Sequence, residues 1–260
     1  MPNESHTQID LTGRRALVTG GGAGIGAAIA RALGAAGADV AVHYAHSKDG
    51  AQQVAAELTG LGRHAVAIGA DLTDPAAAAA TVAEAALILG GLDILVNNAG
   101  HMVGRATVAE MSDEHWAQVM GLNISSTFFV TRAAIPHLSK SPAGRVILMS
   151  SLASENGGGA GSVAYAAAKS AVIGFGRGLA KELAPDGVTV NALAPGFIGA
   201  TAFHETFTPQ TAQAGIVAGV PLKRAGTVED VAGVAVFLAS DLSSYVTGQV
   251  VDINGGLNFR

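Results

Sequence analysis

The chain is predicted to fold as an α/β protein with one doubly wound parallel sheet and helices on both faces. Three observations carry this expectation. Short β-branched runs recur along the chain, each about five residues long and apolar on both faces, as buried parallel strands are. Helical segments of ten residues or more separate them. A glycine cluster, "VTGGGAGIG" at 18–26, stands between the first run and the first helical segment. Strand, helix, strand repeated about six times gives a single doubly wound domain over 1–260, because no Pro/Ser-rich linker divides it.

The elements follow in order. Strands are expected at 15–19, 39–44, 64–70, 94–97, 146–150, 188–193 and 249–253. Helices are expected at 25–36, 50–61, 75–89, 113–138, 164–183 and 228–239. Asp74 before Pro75 places a cap ahead of proline at a first helical position, and Asp113 and Glu114 put acids in a first turn. Residues 199–221 break the rhythm and are long for a loop, which predicts a lid or a pair of short helices over a site.

Bulk properties exclude several classes. The chain has 260 residues, of which 49% are hydrophobic, and a formal net charge of −5, with charged residues sparse. That is no basic nucleic-acid footprint. Cysteine is absent, so disulfides and thiolate metal sites are ruled out. The eight histidines are scattered and no metal is expected. The first 15 residues are polar and lack the apolar core of a signal peptide. No apolar stretch reaches the length that spans a bilayer. The expectation is a soluble cytoplasmic protein with no membrane or nucleic-acid partner.

The glycine cluster gains meaning from its place. A strand feeding a glycine turn and then a helix aims free backbone N–H groups and the helix dipole at an anion. Gly20, Gly24 and Gly26 would serve the turn, the close approach and the helix packing. No Lys-Ser or Lys-Thr follows, so this is not a Walker loop. A structural turn is the plainer alternative. The stretch "YAAAK" puts Tyr165 and Lys169 on one helical face at i and i+4. An ammonium there would lower the phenol from roughly pKa 10 towards working pH, suiting proton transfer between a carbonyl and an alcohol. Taken alone, such a pair is as well explained by surface coincidence. Ser150 and Ser151 end a strand just before that helix, where a hydroxyl could bond a substrate oxygen. "NNAG" at 97–100 ends another strand.

Together these motifs resemble the short-chain dehydrogenase/reductase family from about residue 11 to 257. The resemblance rests on "TGGGAGIG" (19–26), "DLT" (71–73), "NNAG" (97–100), Asn123 in "GLNISSTFF", Ser151, "YAAAK" (165–169), "NALAPGFI" (191–198) and "TGQVVDINGG" (247–256). It implies a Rossmann-like NAD(P)-dependent oxidoreductase that interconverts a carbonyl and a secondary alcohol. Tyr165 would be the general acid/base, Lys169 would hold the nicotinamide ribose and Ser151 would bind the substrate oxygen. Asn123 would kink its helix and anchor a proton-relaying water. The resemblance further implies cofactor contacts at Gly20, Gly24, Ile25 and Gly26, at Asp71 and Leu72 by the adenine, and at Asn98, Ala99 and Gly100. Pro195, Gly196 and Ile198 would sit near the nicotinamide. Family members are commonly tetramers, and 113–138 with 164–183 suit a four-helix contact in a homotetramer.

Three departures from the family pattern matter. Ser151 lies fourteen positions before Tyr165, one more than is most usual, and the glycine-rich 157–161 loop can absorb the extra residue. Where a threonine often follows the "PGFI" stretch, Ala200 stands, and Thr201 comes next. The second strand ends without an acid; Tyr44 stands about where one would bond the ribose 2′-OH. Ser47, Lys48 and His46 could accept a 2′-phosphate, while Ala23 occupies a position where NADP-dependent relatives often carry Arg. NADP(H) is favoured, with NAD(H) as the alternative.

For the substrate, His101 and Arg105 follow the strand that lines the site, and His204 lies in the expected lid. They point to a polar sugar-derived or keto-acid substrate, with Arg105 as a bidentate carboxylate partner. A surface or interface ion pair is the other reading of Arg105. The competing enzyme readings are a 3-oxoacyl-carrier-protein reductase and a broad ketone or carbonyl reductase. A non-catalytic NAD(P)-sensing module is the reading from another class, and the presence of both Tyr165 and Lys169 argues against it.

Overall fold

A seven-stranded parallel sheet runs in the order β3-β2-β1-β4-β5-β6-β7 in a computed structural model that describes residues 9–259. The strands are β1 (Arg15–Val18), β2 (Asp39–Tyr44), β3 (Ala65–Gly69), β4 (Ile94–Asn97), β5 (Arg145–Met149), β6 (Thr189–Pro195) and β7 (Val250–Ile253). The central β4 and β5 are buried along their whole length, which is why their sequences are apolar on both faces. The order reverses between β1 and β4, and the carboxyl ends there open a crevice.

One face is covered by α1 (Gly24–Ala35) and α2 (Lys48–Gly60), the other by α3 (Pro75–Leu89). Asp74 caps α3 through the Ala76 N–H at 2.9 Å, as its position before Pro75 predicts. The expected long helix at 113–138 is interrupted. It runs as α4 (Asp113–Met120), one π-helical turn over Gly121–Ser125, and α5 (Ser126–Leu138). A π-turn of this kind inserts an extra residue into the helical ladder and is common at functional sites. The short α6 (Ala153–Asn156) follows β5, and α7 (Val163–Leu183) crosses to β6. Residues 199–221 hold the expected pair of short helices, α8 (Ala202–Phe207) and α9 (Gln210–Gly219), ahead of α10 (Val228–Ala239).

The end of the sheet away from the crevice is pinned by charge. Buried Asp93 takes Nε and Nη2 of Arg15 at 2.7 and 2.9 Å and the Ser141 hydroxyl at 2.6 Å. Satisfying a buried carboxylate in this way removes most of the cost of desolvating it. Among the described residues no helix is long and apolar enough to cross a membrane.

Candidate active site

The glycine turn leaves the start of α1 ready for an anion. Its N-cap is Ala23, and among the described residues no side chain caps this helix, whereas α3, α4 and α10 each have one. A missing cap forgoes about 1 kcal/mol but leaves N–H groups free for a ligand. Gly24 adopts φ +53° beside open space, so the backbone there can be approached directly. Gly26 is required for the opposite reason: a Cβ would collide with Gly20 O and Asn98 Nδ2. Ile25 follows within the first turn.

Two residues beyond the sequence expectation hold this turn. The Thr19 hydroxyl accepts the N–H groups of Asn98 and Ala99 at 2.9 and 3.0 Å and donates to Val96 O at 3.2 Å. Asn98 in turn donates Nδ2 to Thr19 O and Gly20 O at 3.0 and 3.1 Å, so it braces the glycine loop. His43 is buried; its Nδ1 accepts from Gly20 N–H at 3.2 Å, and its Nε2 lies 3.1 Å from Ala70 O. These partners fix the neutral tautomer with the proton on Nε2. Desolvation holds His43 below the ordinary histidine pKa, partly opposed by its Ala70 bond and by Asp71. Protonation would set two donors face to face at Gly20. His43→Asn should weaken NADPH binding about tenfold through the lost buried bond, measured by cofactor fluorescence. Wild-type affinity should hold above pH 6.5 and fall as pH drops through the lowered native pKa, while His43→Asn shows no such step.

A groove of about 500 Å³ continues from the turn, lined among others by Ala45, His46, Ser47, Asp71, Leu72 and Gly100. Asp71 is braced by the N–H and hydroxyl of Thr73 at 2.9 and 2.7 Å, which lower its pKa. The structure corrects the place given to Tyr44. Its ring lies across Gly69 of the neighbouring strand, leaving no room for a Cβ there, and Ala45 lines the groove instead. Strand alternation is the reason: Tyr44 faces the α1/α2 layer with Val42, and His43 faces the other way. Ser47 is the N-cap of α2 and makes no cap bond with its side chain.

The catalytic candidates converge at the carboxyl end of β5. Tyr165 and Lys169 share a face of α7, with Lys169 Nζ 5.6 Å from the Tyr165 ring centre. Tyr165 hydrogen-bonds Ser151. Ser150 is committed elsewhere: buried, it donates to Lys169 O at 2.9 Å, tying β5 to α7. The extra residue before Tyr165 therefore leaves Ser151 as the hydroxyl that meets the phenol. The expected lowering of Tyr165 is not found. Burial pushes its pKa up to about 12, with only the Ser151 bond acting against it. Lys169 Nζ donates to Met149 O at 2.9 Å, and burial pushes its own pKa down to about 8.

Asn123 lies in the π-turn, buried, donating Nδ2 to His101 O and Val119 O at 2.7 and 2.8 Å. Its Oδ1 has no partner within the protein. A Cβ at Gly100 would stand 2.6 Å from that Oδ1 and 2.9 Å from Lys169 Nζ, so both atoms face one small space. Pro195 O accepts Leu152 N–H and Gly196 N–H meets Ile253 O, both at 2.9 Å, placing this turn beside the end of β5. Ile198 is buried just beyond, and Thr201 Oγ1 donates back to Ile198 O at 3.2 Å.

The substrate candidates separate. His101 accepts Val103 N–H on Nδ1 at 2.9 Å and meets Phe207 edge-on at 5.2 Å. Desolvation, then the charge of His46, lowers its pKa. His204 lies in α8, and its side chain is outside the described residues. Arg105 is not a free carboxylate fork. Nη1 donates to Ala160 O and Ser162 Oγ at 2.8 and 2.7 Å, and Nε and Nη2 both reach Phe207 O, at 3.3 and 3.1 Å. Phe207 O is the carbonyl at the end of α8, a position that favours a cation.

Comparisons with known proteins agree with this geometry. A family model described as enoyl-(acyl carrier protein) reductase matches residues 20–258. The 3-oxoacyl-(acyl-carrier-protein) reductase FabG of Escherichia coli (strain K12) is 39% identical over 249 residues, covering 96% of this chain and 99% of that protein. Hydroxynaphthalene reductase arp2 of Aspergillus fumigatus is 40% identical over 254 residues, covering 94% and 92%. A structure assigned as an NAD(P)-dependent gluconate 5-dehydrogenase of Beutenbergia cavernae, with bound NADP at low occupancy, superposes at TM-score 0.89 with 41% identity, covering 96% and 98%. With its parallel sheet, glycine turn and Ser-Tyr-Lys cluster, the chain belongs to the short-chain dehydrogenase/reductase family, the NAD(P)-dependent oxidoreductases that act on carbonyl and alcohol groups.

Proposed function

We propose that the protein is an NADPH-dependent carbonyl reductase in which Tyr165 is the general acid. The observation that carries this reading is the Tyr165 phenol set beside the Ser151 hydroxyl at the carboxyl end of β5, one helical turn from Lys169, whose Nζ lies 5.6 Å from its ring centre. A phenol so poised donates a proton to a developing alkoxide, and the Ser151 hydroxyl stabilises the same oxygen. When bound, the reduced nicotinamide supplies the hydride. The uncapped α1 terminus and the open space at Gly24 fit its pyrophosphate, and the Asp71–Leu72 groove fits its adenosine. Lys169 would hold ribose hydroxyls and pass a proton back to Tyr165, resupplied by a water that Asn123 Oδ1 would accept from.

NADP(H) is favoured over NAD(H) because Ala45, His46 and the free-standing Ser47 hydroxyl line the far end of the groove. The NADP bound to the Beutenbergia cavernae structure supports the same choice. The test compares kcat/KM for NADPH and NADH on one carbonyl substrate. NADPH should win by about tenfold or more, which is 1.4 kcal/mol of discrimination. A tenfold preference for NADH would overturn the assignment.

The substrate is a small carbonyl compound. A homotetramer built on residues 113–138 and 164–183 belongs to the same reading, supported by exposed Phe128, which meets Phe175 of α7 edge-on beneath Arg132. So does a cytoplasmic location, consistent with a chain free of cysteine.

A further inference from the structure

The rings around Tyr165 form a continuous series. Phe203 of α8 lies 5.6 Å from the Tyr165 ring, tilted by 40°. Phe207 meets Phe203 at 5.1 Å and 60°, and His101 meets Phe207 at 5.2 Å and 65°. Two parts of the chain, α8 and the loop after β4, thus extend a run of flat groups outward from the Tyr165 ring. The two outer pairs meet edge-to-face, the arrangement aromatic quadrupoles prefer, and the inner pair is tilted. His101 presents its ring with Nδ1 occupied as an acceptor, and desolvation favours its neutral form.

Arg105 explains how this wall is held. All three of its guanidinium nitrogens are engaged, two of them on the single carbonyl that ends α8. Two glycines of the 157–161 loop leave room for it. A Cβ at Gly159 would come within 3.1 Å of Arg105 Nη1, and one at Gly161 within 3.0 Å of Arg105 Cβ. Val103, between His101 and Arg105, has φ +67°, a left-handed backbone that a β-branched residue adopts only under constraint. Ala106 N–H on Gly161 O at 3.1 Å supplies part of that constraint. A substrate carboxylate taking the Nε–Nη2 fork of Arg105 would have to displace its two contacts to Phe207 O.

We propose that the site selects uncharged carbonyl compounds bearing a flat aryl or ring-sized apolar group, with Phe203 and Phe207 as specificity-determining residues and Arg105 as the residue that positions them. This rests on the carbonyl-reductase reading above and names its substrate class. The hydroxynaphthalene reductase among the relatives is compatible with it, and the gluconate 5-dehydrogenase is the contrary precedent.

The experiment measures NADPH-dependent kcat/KM of the full chain on 2-tetralone, 5-ketogluconate and an acetoacetyl thioester. Wild type should favour 2-tetralone over 5-ketogluconate by more than about tenfold. Phe203→Ala and Phe207→Ala should each lower kcat/KM on 2-tetralone about tenfold, chiefly through KM, with NADPH affinity serving as the check on folding. Arg105→Ala should raise KM for every probe by a similar factor, and Arg105→Lys should restore only part of it. A preference for 5-ketogluconate, or a loss in Arg105→Ala confined to that acid, would overturn the proposal. Tyr165→Phe separates the two levels. If it silences every probe while the acid is preferred, only the substrate class is wrong. If it retains turnover, or wild type reduces none of the probes, the carbonyl-reductase reading falls as well.

Discussion

Tyr165→Phe is expected to lower kcat for carbonyl reduction about 1,000-fold, within the range that a positioned proton donor contributes. NADPH should still bind with an affinity within about twofold of wild type, because the change removes one oxygen and no backbone contact. The ring keeps its place against Phe203, and the phenol it replaces is held by one side-chain partner, Ser151. Folding should therefore survive. The pH profile gives the same residue a second signature. Tyr165 keeps its proton to about pH 12, so it does not titrate in the working range, whereas Lys169, pushed down to about 8, does. A lowered lysine pKa means that the ammonium is lost as pH rises through about 8. Reduction by wild type should accordingly be level below that point and decline above it. Turnover by Tyr165→Phe at more than a tenth of the wild-type rate would remove Tyr165 from the role.

Gly26→Ala carries the second large effect. Its added Cβ would overlap Gly20 O and Asn98 Nδ2, and neither can step aside. Asn98 is tied to both Thr19 O and Gly20 O, Thr19 is tied to Asn98 and Ala99, and Gly20 N–H is held by His43. The turn must open, at a cost of about 1–3 kcal/mol typical of overpacking. Because the same backbone would receive the pyrophosphate, NADPH affinity should fall about 100-fold, near 2.7 kcal/mol. Cofactor fluorescence and thermal melting check the two parts separately. An unchanged Kd would show that the glycine turn does not hold the cofactor.

Much of the fold was legible because burial on both faces leaves a plain mark. Val96 and Ile147 lie in runs with no polar alternation, and Asp74-Pro75 announces a helix start. The Ser151, Tyr165 and Lys169 cluster was legible because its motif spacing is dense. What escaped depends on contacts that residue type does not encode. The helix break at Asn123 was expected from the family resemblance, but its form as a π-turn has no compositional signature. Whether His43 or Tyr44 faces the groove is set by strand alternation and by pairing with β3, where His43 stands opposite Ile68. Arg105 was read as an anion fork because its acceptors are backbone carbonyls at Ala160 and Phe207, 55 and 102 residues away. The Tyr165 pKa went the other way because burial raises it and only Ser151 acts against that, while the Lys169 ammonium is engaged by Met149 O.

The central claim is that this chain moves a hydride to a carbonyl carbon and a proton from Tyr165 to its oxygen. Incubation of the full chain with NADPH deuterated at C4 of the nicotinamide and a carbonyl substrate, followed by mass spectrometry of the alcohol, tests it most directly. The predicted result is one deuterium on the carbinol carbon with the wild type and only a trace of product with Tyr165→Phe. Alcohol that carries no deuterium from either C4 position, or equal product from both proteins, would contradict it.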